Sequence, residues 1–76
     1  MWTPWARLPG PTLALLHQVL RAASDALSAA QAAELTGVSR ATAQRYFSYL
    51  VREGMVRLEL RYGTTGRPEH LYRSVR

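Results

Sequence analysis

The sequence predicts a mainly α-helical domain with one small β-hairpin, a three-helix bundle followed by two strands, and three observations carry that prediction. Apolar residues recur at helical spacing in three segments between residue 13 and Gly54. Gly37 separates the second segment from the third by a link long enough only for a corner. Past Gly54 the apolar period drops to two, the period of a strand. At 76 residues the chain supports a single core, since a chain of this size buries only about 60% of its unfolded surface.

The first eleven residues, MWTPWARLPGP, hold three prolines and a glycine and read as an extended leader, leaving 12–76 as the domain. Trp2 and Trp5 in that leader either cover part of the core or mediate dimerisation. Helix 1 is expected from Leu13 to Ala23, with Thr12 as N-cap and Leu13, Leu16, Val19, Leu20 and Ala23 on one stripe; Ser24-Asp25 ends it. Ser28 stands three residues before Gln31, the spacing of a capping box, so helix 2 is expected over Ala29 to Thr36, closed by Gly37. Ser39 then caps a third helix running without Pro or Gly up to Gly54. Its core face is Ala43, Tyr46, Phe47 and Leu50, while Arg40, Ala41, Gln44, Arg45 and Ser48 point away. In MVRLELRY, Val56, Leu58, Leu60 and Tyr62 alternate with charged residues as in a strand half buried on one face, and HLYR is short enough to be its return.

Charge is distributed unevenly along this framework. Through Ser39, Arg7 and Arg21 balance Asp25 and Glu34, whereas from Arg40 onward eight arginines face three glutamates and give the chain its net +5. Every basic residue is arginine, the better bidentate partner for phosphate and guanine. An acidic polymer is the partner this balance proposes, and a solvated basic surface is the plainer alternative. Other classes fall away. There is no cysteine, hence no disulfide, thiolate nucleophile or cysteine-held zinc. His17 and His70 have no third ligand in view, no carboxylate pair or Ser/His/Asp set suggests catalysis, and no cofactor or small-molecule ligand is indicated. No apolar run approaches the ~20 residues of a membrane span, and Met1-Trp2-Thr3-Pro4-Trp5 lacks a signal peptide's basic start, so a reducing cytoplasm is expected.

Two short helices joined at a glycine-containing corner, the second opening on Ser-Arg, form a helix-turn-helix, and the basic hairpin after it makes a winged helix. In that arrangement the N-terminus of helix 3 meets phosphate while its exposed first turns reach base edges in the major groove. The residues assigned there are Ser39, Arg40, Ala41, Thr42, Gln44, Arg45 and Tyr49. Arg40 suits phosphate or guanine and Gln44 adenine; Thr42 serves the same groove or caps locally. Tyr46, Phe47 and Tyr49 interleave with basic residues as stacking platforms do, but their spacing places Tyr46 and Phe47 in the core. In the hairpin loop YGTTGRPEHLY, Thr64, Thr65, Gly66 and Arg67 are the wing contacts, Arg67 lying at the backbone or in the adjacent minor groove. The loop lacks the Gly-x-x-x-x-Gly-Lys spacing of a nucleotide cradle and leads into a strand.

The stretch LSAAQAAELTGVSRATAQRYFSYLVREGMV, followed by LRYGTTGRPEHLYR, resembles the C-terminal DNA-binding domain of two-component response regulators of the citrate and C4-dicarboxylate class (CitB/DcuR-like). The resemblance covers about residues 13 to 73; GVSRxT recurs in many helix-turn-helix regulators, and its coupling to the GRP loop is the more specific feature. It implies a bacterial transcriptional regulator that binds double-stranded DNA, with Arg45 reading a base or contacting phosphate. A single domain contacts few base pairs, so two half-sites and a homodimer on DNA are the expectation. A receiver domain is not among these residues, which carry one aspartate, Asp25, and no lysine. The chain is therefore read as an isolated output domain, a truncated product or a free-standing relative. The alternative from another class is a winged-helix protein-interaction module that docks or dimerises through the leader and helix 1.

Overall fold

The computed structural model describes residues 10–63 and 66–75. Three helices, α1 (Gly10–Ala22), α2 (Ala29–Thr36) and α3 (Arg40–Arg52), precede an antiparallel hairpin of β1 (Val56–Tyr62) and β2 (Pro68–Ser74), in the order and class expected of a winged helix. Pairing runs without a bulge from Val56 opposite Ser74 to Tyr62 opposite Pro68. A third short segment joins the sheet at Leu27, which exchanges both backbone hydrogen bonds with Tyr72, at 2.9 and 2.7 Å.

The first boundary differs from expectation. α1 begins at Gly10 and ends at Ala22, so Thr12 lies inside its first turn and not at an N-cap position before it. Pro11 had read as a breaker, but a helix's first turn has no acceptor for its N–H groups, and proline's fixed φ suits that position. Residues 1–9, with Trp2 and Trp5, lie outside the described residues. The other two helices start where their caps stand. Ser28 Oγ accepts from Gln31 N–H at 3.1 Å while Gln31 Oε1 accepts from Ser28 N–H at 2.9 Å, which completes the capping box. α3 closes on a pair of bonds, Gly54 N–H to Val51 O and Met55 N–H to Leu50 O, that satisfy carbonyls of its last turn.

The core gathers Leu16 and Leu20 from α1, Ala29, Ala32 and Ala33 from α2, Ala43, Tyr46, Phe47 and Leu50 from α3, and Val56 and Tyr72 from the hairpin. The four residues expected on the inner face of helix 3 are all buried, which answers the stacking question for Tyr46 and Phe47. Small side chains on α2 bring its backbone close to α3. Phe47 joins α3 to β2 through a tilted ring contact with Tyr72, centroids 4.8 Å apart at 42°.

The hairpin departs from its expected pattern. Only Val56 of the alternating set is buried, while Leu58, Leu60 and Tyr62 are 40%, 50% and 71% exposed. Seven-residue strands reach about 23 Å, and the helices cover only the proximal end. The return strand is longer than HLYR and tolerates Pro68 as its first residue. On the other face Arg73 Nε donates to Glu59 at 2.8 Å and its Nη2 to Asp25 at 3.0 Å, with Arg61 3.8 Å from the same aspartate. Ala26 N–H, bonded to Asp25 Oδ1 at 2.8 Å, holds that carboxyl below its usual pKa, and Arg61 and Arg73 add to the effect. The loop before α2 is thus fastened to the root of the wing by charge as well as by backbone.

Candidate nucleic-acid interface

The corner between α2 and α3 is built from local bonds. Gly37 adopts φ 82°, a left-handed conformation cheap only for glycine, and its N–H reaches Ala33 O at 2.8 Å. Thr36 Oγ1 donates to Ala32 O at 2.8 Å and accepts from Val38 N–H at 3.4 Å. Ser39 then caps α3, its Oγ accepting from Thr42 N–H at 3.0 Å and donating to Thr42 Oγ1 at 2.8 Å. Of the two roles open to Thr42, the local one is occupied. Ser39→Ala is expected to cost about 1 kcal/mol of stability, read as a lower urea midpoint with an unchanged slope.

With the cap fixed, Arg40, Ala41, Gln44 and Arg45 stand exposed on the outer side of α3, opposite Ala43 and Phe47. Ser48 turns back to Gln44 O at 2.9 Å. Tyr49 is half buried and packs against the core.

Arg40 and Gln44 share a cleft of about 660 Å³ with Arg67 of the wing. Its lining also includes Ser28, Ala29 and Ala30 at the start of α2 and Tyr62 and His70 of the hairpin. Two arginines from separate elements, a helix start and an amide side chain therefore open on one concave surface. Arg61 joins the lining as well. Gly66 reverses the hairpin with φ 83°, its N–H 3.3 Å from Gly63 O, and Arg67 follows it, exposed, with its presentation limited by Pro68. Thr64 and Thr65 lie outside the described residues. Ala41 and Arg45 sit on the same helix but are not in the cleft lining.

Sequence reading missed Arg61, Tyr62, His70 and the start of α2 as neighbours of the site. The signal was present in part: once Tyr62 pairs with Pro68, His70 falls two residues further on the same face. His17 lies elsewhere, at the junction of α1 and β2, with Nε2 3.4 Å from Ser74 Oγ. Burial, helped by Arg21, lowers its pKa, consistent with a structural histidine. Among the described residues no group of acidic or histidine side chains could hold a metal ion, and no helix is long and apolar enough to cross a membrane.

Comparison with known proteins bears on the same surface. The profile of the MarR family matches residues 8–67. The chain is similar to the transcriptional regulatory protein CitT of Bacillus subtilis (strain 168), 46% identical over 61 residues that make up 80% of this chain and 27% of that protein. It is similar to the probable C4-dicarboxylate response regulator DctR of the same organism, 40% identical over 53 residues, covering 70% and 24% of the two chains. A CitT protein from Halalkalibacterium halodurans is 41% identical over 61 residues, 75% of this chain and 26% of its own. The chain spans about a quarter of the length of these relatives.

Proposed function

The chain belongs to the MarR family of non-enzymatic DNA-binding regulators, and from that premise we propose that it binds double-stranded DNA sequence-specifically, with α3 in the major groove and the wing on the backbone or in the adjacent minor groove. One observation carries the reading: Arg40 and Gln44 of α3 and Arg67 of the wing line a single cleft on the basic half of the chain. A major groove admits one helix, and an arginine two strands away is placed to meet phosphate or a narrow minor groove beside it. The cap at Ser39 leaves the N-terminal end of α3 facing outward, where its partial positive charge favours phosphate.

Binding of a labelled duplex, followed over a range of salt concentrations, tests this. Neutralisation of four to six phosphates gives a log–log slope of about −4 to −5, and an affinity indifferent to salt would sink the reading. Selection from a random duplex pool reports the motif. Useful affinity is expected to require two half-sites, about 34 Å apart when they lie on one face of the duplex, so the selected sequences should contain a repeat.

The finer reading is that this domain is the output unit of a two-component response regulator. It is supported by the similarity to DctR, a probable C4-dicarboxylate response regulator of which the match covers about a quarter. A receiver-coding segment in the same genomic reading frame is the expected finding, and a frame without one overturns it.

A further inference from the structure

Arg61 belongs to two surroundings at once. It lines the cleft with Arg40, Gln44 and Arg67, and its Nη2 lies 3.8 Å from Oδ2 of Asp25, a residue outside that lining. The two arginines that Asp25 meets are held differently. Arg73 donates through Nε to Glu59 at 2.8 Å and through Nη2 to Asp25 Oδ1 at 3.0 Å, and it is not in the cleft lining. Arg61 stands beyond hydrogen-bond length from Asp25, and the side chains of that pair are 56% and 64% exposed, so solvent and ions reach both. Asp25 itself is anchored. Its Oδ1 accepts from Ala26 N–H at 2.8 Å and from Arg73, which leaves Oδ2 nearer Arg61. Those neighbours hold the carboxyl below its usual pKa, so it is a carboxylate at neutral pH.

A fixed carboxylate beside an arginine of a phosphate-binding cleft competes with the ligand. Resting on the duplex-binding reading above, we propose that Asp25 is an internal competitor for phosphate, which draws the Arg61 guanidinium toward the loop before α2 and must be displaced before Arg61 engages DNA. The exchange is open because a phosphate oxygen offers Arg61 short charge-assisted bonds that Asp25, at 3.8 Å, does not make. It carries a cost because the attraction to Asp25 is given up and the phosphate arrives beside a negative charge that its own bonds hold in place. Glu69, opposite Arg61 in the hairpin register and part of the cleft lining, adds to the negative field there, so the test must isolate the part of the effect that passes through Arg61. Competition for a backbone contact acts on every duplex alike. Asp25 therefore sets how many phosphates the domain neutralises, not which bases it reads.

Titration of labelled duplexes at several salt concentrations tests this, with far-UV circular dichroism to establish that each variant is folded. Asp25→Asn keeps the shape of the side chain and an oxygen to accept from Ala26 N–H, leaves Arg73 on Glu59, and leaves the Leu27–Tyr72 bridge to tie the loop to the hairpin. It is expected to tighten binding about two- to fivefold, the range of an exposed ion pair, equally for selected and scrambled duplexes, and to steepen the log–log salt slope by up to about 0.9. Asp25→Ser, a second neutral acceptor for the same N–H, is expected to do the same. In an Arg61→Ala background neither substitution gains anything. Glu34→Gln makes the same change in net charge at an exposed site of α2 outside the cleft lining and is expected to leave affinity and slope as they are. Binding no tighter in the Asp25 variants, tighter binding at an unchanged slope, a gain that persists without Arg61, or an equal gain from Glu34→Gln overturns the proposal while duplex binding stands. A wild type that binds no duplex overturns the reading beneath it as well, so the two failures are told apart.

Discussion

Replacing Phe47 by alanine is expected to remove about 3–5 kcal/mol of folding stability and to lower the thermal midpoint by at least about 12 °C. Phe47 is fully buried, and its ring is the contact through which α3 grips Tyr72 of β2. Truncation loses the transfer free energy of the ring and leaves a cavity between the helical bundle and the hairpin, which cannot close without moving the wing. In a domain whose total stability lies near the low end of about 5–15 kcal/mol, that loss populates the unfolded state near body temperature. Phe47→Leu keeps most of the volume and should cost less than about 1.5 kcal/mol. Melting followed by circular dichroism reads both. An alanine variant melting within a few degrees of wild type would show that the core does not depend on this ring. At low temperature, where the variant remains folded, its affinity for DNA should persist, since Phe47 presents nothing to the surface.

The helical part of the fold was legible because caps and periodicity agree there. Ser28 with Gln31, Gly37 and Ser39 each name a helix end by a bond that the backbone requires, and the structure makes each of those bonds. The start of α1 was not legible, because Pro11 carries the same symbol whether it breaks a helix or begins one. The buried face of β1 was misread for a different reason. Alternation reveals which residues share a face, but burial depends on whether another element reaches that face, and on β1 only Val56 is buried.

The candidate site was legible to the extent that it is written on one helix. Arg40, Ala41, Gln44 and Arg45 stand exposed as their spacing requires, and Thr42 is held by Ser39 through a bond the cap makes unavoidable. What could not be read is that the hairpin and the start of α2 line one cleft with α3. The hairpin is tied to the helical part by long-range contacts, the Leu27–Tyr72 bridge and the Asp25–Arg73–Glu59 chain of charges, which join residues some 14 to 48 positions apart. Sequence spacing carries no signal of such pairings. Arg61, Tyr62 and His70 line the cleft as well, and of these His70 had a partial signal in the register of the hairpin.

Arg40→Ala is expected to cost about 1–3 kcal/mol against the preferred duplex and much less against unrelated duplexes, so that sequence preference collapses toward the non-specific level. Arg40 occupies the first position of α3, held by a cap on one side and by buried Ala43 and Phe47 behind, so its guanidinium is presented from a rigid base. A base contact made from such a position discriminates, because the wrong base leaves a donor unpaired. Arg67 stands on a loop beyond Gly66, and its replacement by alanine should weaken all duplexes evenly and reduce the salt slope by about one. Parallel titrations of selected and scrambled duplexes with the two variants separate these roles. If Arg67→Ala abolishes preference while Arg40→Ala lowers affinity uniformly, the wing reads the sequence and α3 only anchors the domain. Both arginines line the same cleft, so the contrast measures what each contributes within one surface.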